Sequence, residues 1–216
     1  MGSEMCIRDS FMGARGILER ALARALPAAG AKPLRILELG CGDGRLMLDV
    51  ARHRGARWPA VSLDLLDRQP IVDAETIAAY AAAGWQARSI VADVLDWAAQ
   101  DDGAERWDVV VANLFLHHFE GDTLHALLAG CARRAAALVA CEPRRSRFAL
   151  TASHLVGFLG ANAVTRRDAV LSVRAGFIGT ELGAAWPSTS VAWRFDEYED
   201  GPFTHCFCAR REGAPS

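Results

Sequence analysis

Residues 35–45 read Arg-Ile-Leu-Glu-Leu-Gly-Cys-Gly-Asp-Gly-Arg and set the architecture of the chain. An apolar run with the character of a strand stops at three alternating glycines, and a helical pattern begins directly behind them. A strand that turns this tightly into a helix needs glycine, because glycine alone adopts positive φ freely and lets another group approach the backbone. The helix N-terminus then presents unpaired N–H groups and a partial positive charge. The stretch therefore predicts a loop that binds a nucleotide-type cofactor.

The spacing of the glycines separates this loop from two other kinds of cofactor loop. A dinucleotide fingerprint reads Gly-x-Gly-x-x-Gly, whereas here the third glycine comes one residue early and Arg45 stands in its place. No Gly-Lys-Ser/Thr follows, which excludes a phosphate-binding P-loop. The spelling Glu-Leu-Gly-Cys-Gly-Asp-Gly resembles motif I of the class I S-adenosylmethionine (SAM) dependent methyltransferases. The resemblance implies that the methionine end of SAM lies against Glu38, Gly40, Cys41, Gly42 and Gly44.

The second predicted strand offers two candidates for the carboxylate that would hold the cofactor ribose. A nucleotide fold places this residue about 20 residues after the glycine loop. Asp64 fits the count, because it follows Gly44 by 20 residues. Asp67 fits the chemistry better, because it follows an apolar pair and precedes Arg-Gln-Pro, as in the family's frequent Asp-x-Ser/Asn-Pro pattern, where Pro70 can begin the next helix. We prefer Asp67 and keep Asp64 as the alternative.

The third predicted strand ends in Ala-Asp-Val at residues 92–94. In the methyltransferases this stretch binds adenine. The resemblance therefore implies that the Asp93 carboxylate accepts a hydrogen bond from the exocyclic amine and that the Val94 backbone meets the ring edge. An aspartate that caps the following turn is the structural alternative.

Residues 107–119, WDVVVANLFLHHF, predict a central strand followed by the acceptor side of the site. The continuous β-branched run indicates a strand buried on both faces, and its carboxyl end falls where open α/β sheets bind ligands. Asn113, at that end, is a further candidate cofactor contact. The Asn/Asp-Pro-Pro-aromatic tetrad, with which methyltransferases grip an sp² amine, is absent. Its absence favours methyl transfer to oxygen or carbon.

His117 and His118 are the candidate general bases, because an imidazole takes a phenolic or hydroxyl proton near neutral pH. The alternative is structural. Leu-His-His-Phe is a frequent spelling in small methyltransferases, in which one histidine caps the following helix and the other packs.

The segment after the fifth predicted strand is expected to supply the acceptor pocket. Arg144, Arg145 and Arg147 can bind a carboxylate or phosphate bidentately, or they can be solvated or paired with Glu142 and Asp168. A helical lid is predicted at about 144–180, with His154 as a candidate pocket residue. Gly176 is expected to end the second lid helix as a left-handed cap.

Composition limits the classes of protein that fit. With 216 residues, 51% of them hydrophobic, the chain suits one α/β domain and contains no apolar run of membrane-spanning length. The net charge is −2, and the sequence contains no run of basic residues interleaved with aromatics, so nucleic acid is not the expected substrate. The six cysteines lack zinc or disulfide-framework spacing, which fits a reducing cytosol. We expect a cytoplasmic monomer or homodimer that binds no metal and acts on a small molecule.

The first ten residues are expected to be foreign to the natural protein. Residues 5–10, Met-Cys-Ile-Arg-Asp-Ser, match the translation of a transposon-end adapter used in sequencing libraries. Such segments are excluded from fold reasoning. We therefore expect a natural start upstream of about Phe11 and a single domain over residues 11–216. No apolar signal-peptide region follows.

The complete pattern predicts a Rossmann-like α/β fold. We expect a mostly parallel seven-stranded sheet with helices on both faces and a C-terminal antiparallel hairpin over 191–210. The methyltransferase resemblance covers about residues 34–145. The chain also looks like small bacterial methyltransferases found beside type III polyketide synthases, which implies a phenolic, partly apolar acceptor. Two alternatives remain: a non-catalytic binding or regulatory protein with this fold, and a nicotinamide-dependent oxidoreductase, although no Tyr-x-x-x-Lys pair is present.

Overall fold

The computed structural model describes residues 2–26, 32–54, 58–100, 106–146 and 175–213, with side chains from residue 13 onward. The helices in these ranges are α1 (Gly2–Ala25), α2 (Arg45–Arg54), α3 (Ala74–Ala82), α4 (Val94–Ala99), α5 (Gly121–Arg134) and α6 (Glu181–Ala184), with a 3₁₀-helix at Leu116–His118. The strands are β1 (Leu34–Leu39), β2 (Val61–Asp67), β3 (Trp85–Val91), β4 (Val109–Asn113), β5 (Ala137–Pro143), β6 (Trp193–Asp200) and β7 (Thr204–Arg211). Strands and helices alternate up to β5, as a parallel sheet requires.

The strands form one sheet in the order β3-β2-β1-β4-β5-β7-β6. β1 to β5 run parallel, and β7 lies antiparallel between β5 and β6. This confirms the predicted seven-stranded sheet with its C-terminal hairpin. Successive strands are added on one side of β1 as far as β3 and on its other side from β4 onward, so the strand order reverses between β1 and β4. A crevice opens at the carboxyl ends of the strands at such a point.

Helices cover both faces of the sheet, as predicted. Successive side chains of a strand point to opposite faces. Ile36 therefore packs with α1, α2 and α3, whereas its neighbour Leu37 packs with α4 and α5. Every residue of β5 is buried, and so are all but the last residue of β4. Burial on both faces explains why these strands are apolar except at their carboxyl ends.

The described cysteines are buried free thiols, namely Cys41, Cys131, Cys141, Cys206 and Cys208. Among the described residues, no group of His, Cys, Asp and Glu side chains is arranged to hold a metal ion. None of the helices in these ranges combines the length and the apolar character needed to cross a bilayer.

Three local predictions need correction. The helix after β2 begins at Ala74 rather than at Pro70, because the Asp73 side chain caps it by accepting a hydrogen bond from the Thr76 N–H at 2.7 Å. Gly176 is not left-handed. It is glycine because an added Cβ would lie 2.1 Å from the carbonyl oxygen of Pro143. The helical periodicity of the sequence before β1 predicts a helix only over Ile17–Leu26, whereas the first helix runs from Gly2 to Ala25. Most of the predicted lid, residues 147–174, lies outside the described ranges.

Candidate active site

The glycine loop joins β1 to α2 at the point where the strand order reverses. Gly40 and Gly42 have φ of 63° and 56°, values that residues with a side chain rarely adopt. A Cβ on Gly40 would lie 2.1 Å from the Phe115 ring, so the ring packs directly on this backbone. A Cβ on Gly42 would meet no atom within 4 Å. Packing therefore requires Gly40, whereas Gly42 borders open space that a ligand can enter.

Gly44 serves the packing of the loop. Its carbonyl oxygen accepts a hydrogen bond from the buried hydroxyl of Tyr80 at 2.5 Å, which fastens the loop to α3. Cys41 is buried, with its thiol 3.6 Å from the Gly42 carbonyl oxygen, and burial raises the pKa of that thiol. Neither Gly44 nor Cys41 lines the cavity that lies beside the loop.

The two candidate ribose carboxylates lie in different surroundings. Asp67 ends β2, where its Oδ2 accepts a hydrogen bond from the Gly42 N–H at 3.0 Å. Asp64 is buried inside β2 and accepts hydrogen bonds from the Arg88 guanidinium and from Trp107 Nε1, the latter at 2.8 Å. The structure thus brings Asp67 to the glycine loop. Asp64 is held inside the sheet by its ion pair with Arg88 and does not line the cavity, so it is not positioned to contact a cofactor.

A cavity of about 530 Å³ lies at the carboxyl ends of β1 to β4. Its size is typical of small-molecule and cofactor sites. Five residues predicted from the sequence line it together: Gly40, Asp67, Asp93, Val94 and His118. The remaining lining residues are Leu66, Arg68, Gln69, Ala92, Leu95, Phe115 and Phe119. Asn113 ends β4 but does not line this cavity.

Asp93 both caps the following helix and borders the cavity, the two roles that the sequence left open for it. Its Oδ1 accepts a hydrogen bond from the Leu95 N–H at 2.8 Å and so caps α4. The residue also borders the cavity, together with Val94. Capping therefore fixes the orientation of the Asp93 carboxylate and does not remove it from the candidate site.

Glu38 is the buried acid beneath the glycine loop. The residue has an exposed fraction of only 3%, and its Oε2 has no hydrogen-bond partner among the described residues. Burial raises the pKa of Glu38 to about 8, and the nearby carboxylates of Asp43 and Asp67 add to the effect. A buried oxygen without a donor is costly. A cationic donor such as the amino group of SAM would satisfy it.

The loop after β4 depends on Glu142, for which the sequence suggested only a pairing with the nearby arginines. Glu142 is fully buried at the end of β5. Its carboxylate accepts hydrogen bonds from the N–H groups of residues 115–117 and from Nδ1 of His117. The sequence signal was an acidic residue at the end of an apolar run, but its partners lie 25 to 27 positions away.

The two histidines have different surroundings. His117 is buried against Glu142, with Nδ1 2.8 Å from Oε2. His118 lines the cavity, and its ring centroid lies 4.1 Å from that of His117. Burial lowers the pKa of His118, the neighbouring His117 lowers it further, and Glu142 opposes the shift. His118 is therefore predominantly neutral near pH 7 and has a lone pair available for a proton.

Two of the three predicted acceptor-binding arginines are engaged elsewhere. Arg144 pairs with Glu199 at 2.6 Å. Arg145 pairs with Glu181 and donates to the carbonyl oxygen of Gly176 at 3.2 Å. Neither arginine pairs with Glu142 or lines the cavity in the described part of the chain. Arg147 and His154 lie outside the described residues.

Comparison with known proteins identifies the family. A model described as a methyltransferase domain matches residues 12–198. An O-methyltransferase family protein from Burkholderia thailandensis is 16% identical, with a TM-score of 0.57 over 92% of this chain and 57% of that one. Magnesium protoporphyrin IX methyltransferase from Synechocystis PCC 6803, with bound SAM, is 17% identical. The match has a TM-score of 0.52 and covers 93% of this chain and 81% of that one. A small RNA methyltransferase is 15% identical, and the match has a TM-score of 0.58 and covers 94% of this chain and 26% of that one. No curated protein matches the sequence.

The sheet order, the glycine loop and the cavity at the switch point define a Rossmann-like methyltransferase fold. The family model spans most of the chain, so the chain belongs to the SAM-dependent methyltransferases and its cofactor is SAM. The orphaned Glu38 oxygen and the open space beside Gly42 fit this cofactor. The chain spans little more than half of the Burkholderia protein, and the fold is shared by proteins with different acceptors.

Proposed function

We propose that this protein transfers the methyl group of SAM to an oxygen or carbon atom of a small, neutral, phenol-like molecule. The observation that carries the proposal is that His118 lines the same cavity as Gly40, Asp67 and Asp93. A proton acceptor thus stands beside the residues expected to hold the cofactor. We assign the ribose to Asp67, the adenine to Asp93 and Val94, and the methionine end to Glu38 and the glycine loop.

The chain's own residues supply placement and proton removal. SAM supplies an activated methyl group on a positively charged sulfur, so the transfer is an in-line displacement that depends on alignment. The acceptor oxygen forms its bond to the methyl carbon as the carbon–sulfur bond breaks, and sulfur keeps that electron pair. His118 takes the hydroxyl proton, for which its lowered pKa leaves it in the neutral form.

A neutral acceptor is favoured over the acidic one that the arginines suggested. Arg144 and Arg145 are each paired with a glutamate, so they are not held ready for an anion. Phe115 and Phe119 line the cavity, and Leu114 beside them is 54% exposed. These side chains suit an aromatic ring better than a carboxylate.

The test is methyl transfer from SAM to a panel of phenols and matched phenolic acids. We expect turnover of at least one neutral phenol, and His118→Gln should lower kcat on a phenol of high pKa by about 10²–10⁴. SAM affinity, measured by calorimetry, should barely change. Tight SAM binding without turnover of any acceptor would instead support the non-catalytic binding protein.

A further inference from the structure

We propose that Glu142 and His117 form a positioning pair that fixes the loop after β4 and so sets His118 at the cavity. This inference rests on the proposed methyl transfer, in which His118 is the base. His117 then acts through its neighbour and takes no substrate proton itself.

The Glu142 carboxylate is surrounded by donors from one short stretch. Oε1 accepts hydrogen bonds from the N–H groups of Phe115 at 3.0 Å and Leu116 at 2.8 Å. Oε2 accepts from the N–H of His117 at 3.4 Å and lies 2.8 Å from its Nδ1. A fully buried carboxylate is costly unless donors surround it. Here the same bonds that satisfy Glu142 hold three consecutive residues of the loop.

The loop needs such an anchor because its backbone is unfavourable. Leu114 has φ of 51°, which is rare for a bulky residue and persists only where the surroundings enforce it. Its N–H donates to the carbonyl oxygen of Cys141 at 2.9 Å. Cys141 and Glu142 are consecutive residues of β5, so one strand end fastens the loop from Leu114 to His117.

The hydrogen bonds of Glu142 fix where the side chains of Phe115, His117 and His118 lie relative to the cavity. Phe115 packs on the backbone of Gly40, and His118 lines the cavity. His117 has a side chain only 4% exposed, and its ring packs against that of His118 with centroids 4.1 Å apart. Glu142 thus fixes His117, and His117 supports the ring of His118 from the side.

The chain contains a matched control in Glu197. Its side chain is 4% exposed and accepts hydrogen bonds from the N–H groups of Leu182 at 3.1 Å and Gly183 at 2.9 Å. Its Oε1 lies 2.8 Å from Nε2 of His205. The bonding pattern therefore matches that of Glu142, but it secures α6 and does not border the cavity.

The first experiment compares Glu142→Gln with Glu197→Gln in the full chain. Both should lower the Tm, because each weakens a buried network. Glu142→Gln should lower kcat by about a hundredfold, since a displacement of about 1 Å at a reacting group can cost that much. SAM affinity should stay unchanged, and Glu197→Gln should keep its kcat. Equal kcat values in the two variants would overturn the proposal.

The second experiment separates positioning from proton transfer. In His117→Asn the side-chain amide nitrogen can take the place of Nδ1 as a donor to Glu142, whereas His117→Leu offers no donor. We expect His117→Asn to keep most of the kcat that His117→Leu loses. Equal, complete loss in both variants would mean that His117 is itself the base and would overturn the proposal.

A third measurement needs no acceptor and no turnover. Nitrogen-15 NMR of the ligand-free protein should show a proton on Nδ1 of His117 in a hydrogen bond to Glu142. Glu142→Gln should weaken this bond and shift the ring signals of His118. Unchanged His117 and His118 signals would refute the pair even in an active enzyme. A wild-type protein without methyl transfer, but with the expected signals, would refute the proposed function alone.

Discussion

The N–H of Gly42 donates a hydrogen bond to Oδ2 of Asp67 at 3.0 Å, and this bond ties the end of β2 to the glycine loop after β1. The second oxygen, Oδ1, accepts from the N–H of Gln69 at 2.9 Å. The carboxylate is thereby held at the cavity before any ligand arrives. A preorganised acceptor of this kind contributes more to binding than one that must first be ordered.

Replacing Asp67 with alanine should weaken SAM binding by about tenfold or more. The carboxylate would otherwise accept charge-assisted hydrogen bonds from the ribose hydroxyls, each worth about 1.5–3 kcal/mol. Asp64→Ala is the control, because it removes the partner of the Trp107 indole N–H and should reduce stability by about 1–3 kcal/mol with little effect on SAM. Calorimetry and thermal unfolding measure the two effects. A larger loss of SAM affinity in Asp64→Ala would reverse the assignment.

Gly42→Val should abolish SAM binding. The substitution places a branched side chain in the open space beside the loop and forces it into φ of 56°. Gly84→Val is the matched control, because Gly84 has φ of 82° and a Cβ there also meets no atom within 4 Å. Both variants should lose stability of about 1–3 kcal/mol through backbone strain, but Gly84→Val should retain SAM affinity. Undiminished affinity in Gly42→Val would remove the loop from the cofactor site.

Local patterns made much of the site predictable. Each of Gly40, Asp67, Asp93 and His118 lies at or shortly after the end of a predicted parallel strand, and such ends meet at one edge of the sheet. Sequence spacing alone favoured Asp64, but the ladder places Asp64 three residues before the end of β2 and in register with Arg88 of β3. Register, not distance along the chain, decides which carboxylate reaches the cavity.

Pairings between distant segments were not predictable. Arg145 pairs with Glu181, which lies 36 residues away, and Glu142 accepts from amides 25 to 27 residues earlier. Neither contact leaves a local pattern, because each depends on how β5 is placed among its neighbours. The sequence therefore predicted which residues gather at the cavity better than it predicted the long-range pairings around them.

The stability of the ligand-free protein should depend on pH through Glu38. Burial raises its pKa from an ordinary value of 4.5 to about 8 in the folded state. Between these values Glu38 binds more protons in the folded protein than in the unfolded chain, so its contribution to stability is greatest at low pH and is lost as pH rises to about 8. Glu38→Gln should flatten this part of the profile. Thermal unfolding at about pH 5.5 and pH 8 measures the difference, and parallel profiles in the two proteins would contradict it.

Replacing Arg144 with alanine should leave the acceptor KM nearly unchanged. The guanidinium is held by Glu199 at 2.6 Å and does not border the cavity, so its removal costs only a partly exposed ion pair of about 0.2–1 kcal/mol. Arg145→Ala should likewise leave the KM for a neutral phenol nearly unchanged, because Arg145 is held by Glu181. Steady-state kinetics with a phenol and the matched phenolic acid measure both variants. A KM for the acid that rises about tenfold, with the phenol unaffected, would mean that an arginine leaves its glutamate to bind the acceptor, and the acidic acceptor would replace the neutral one.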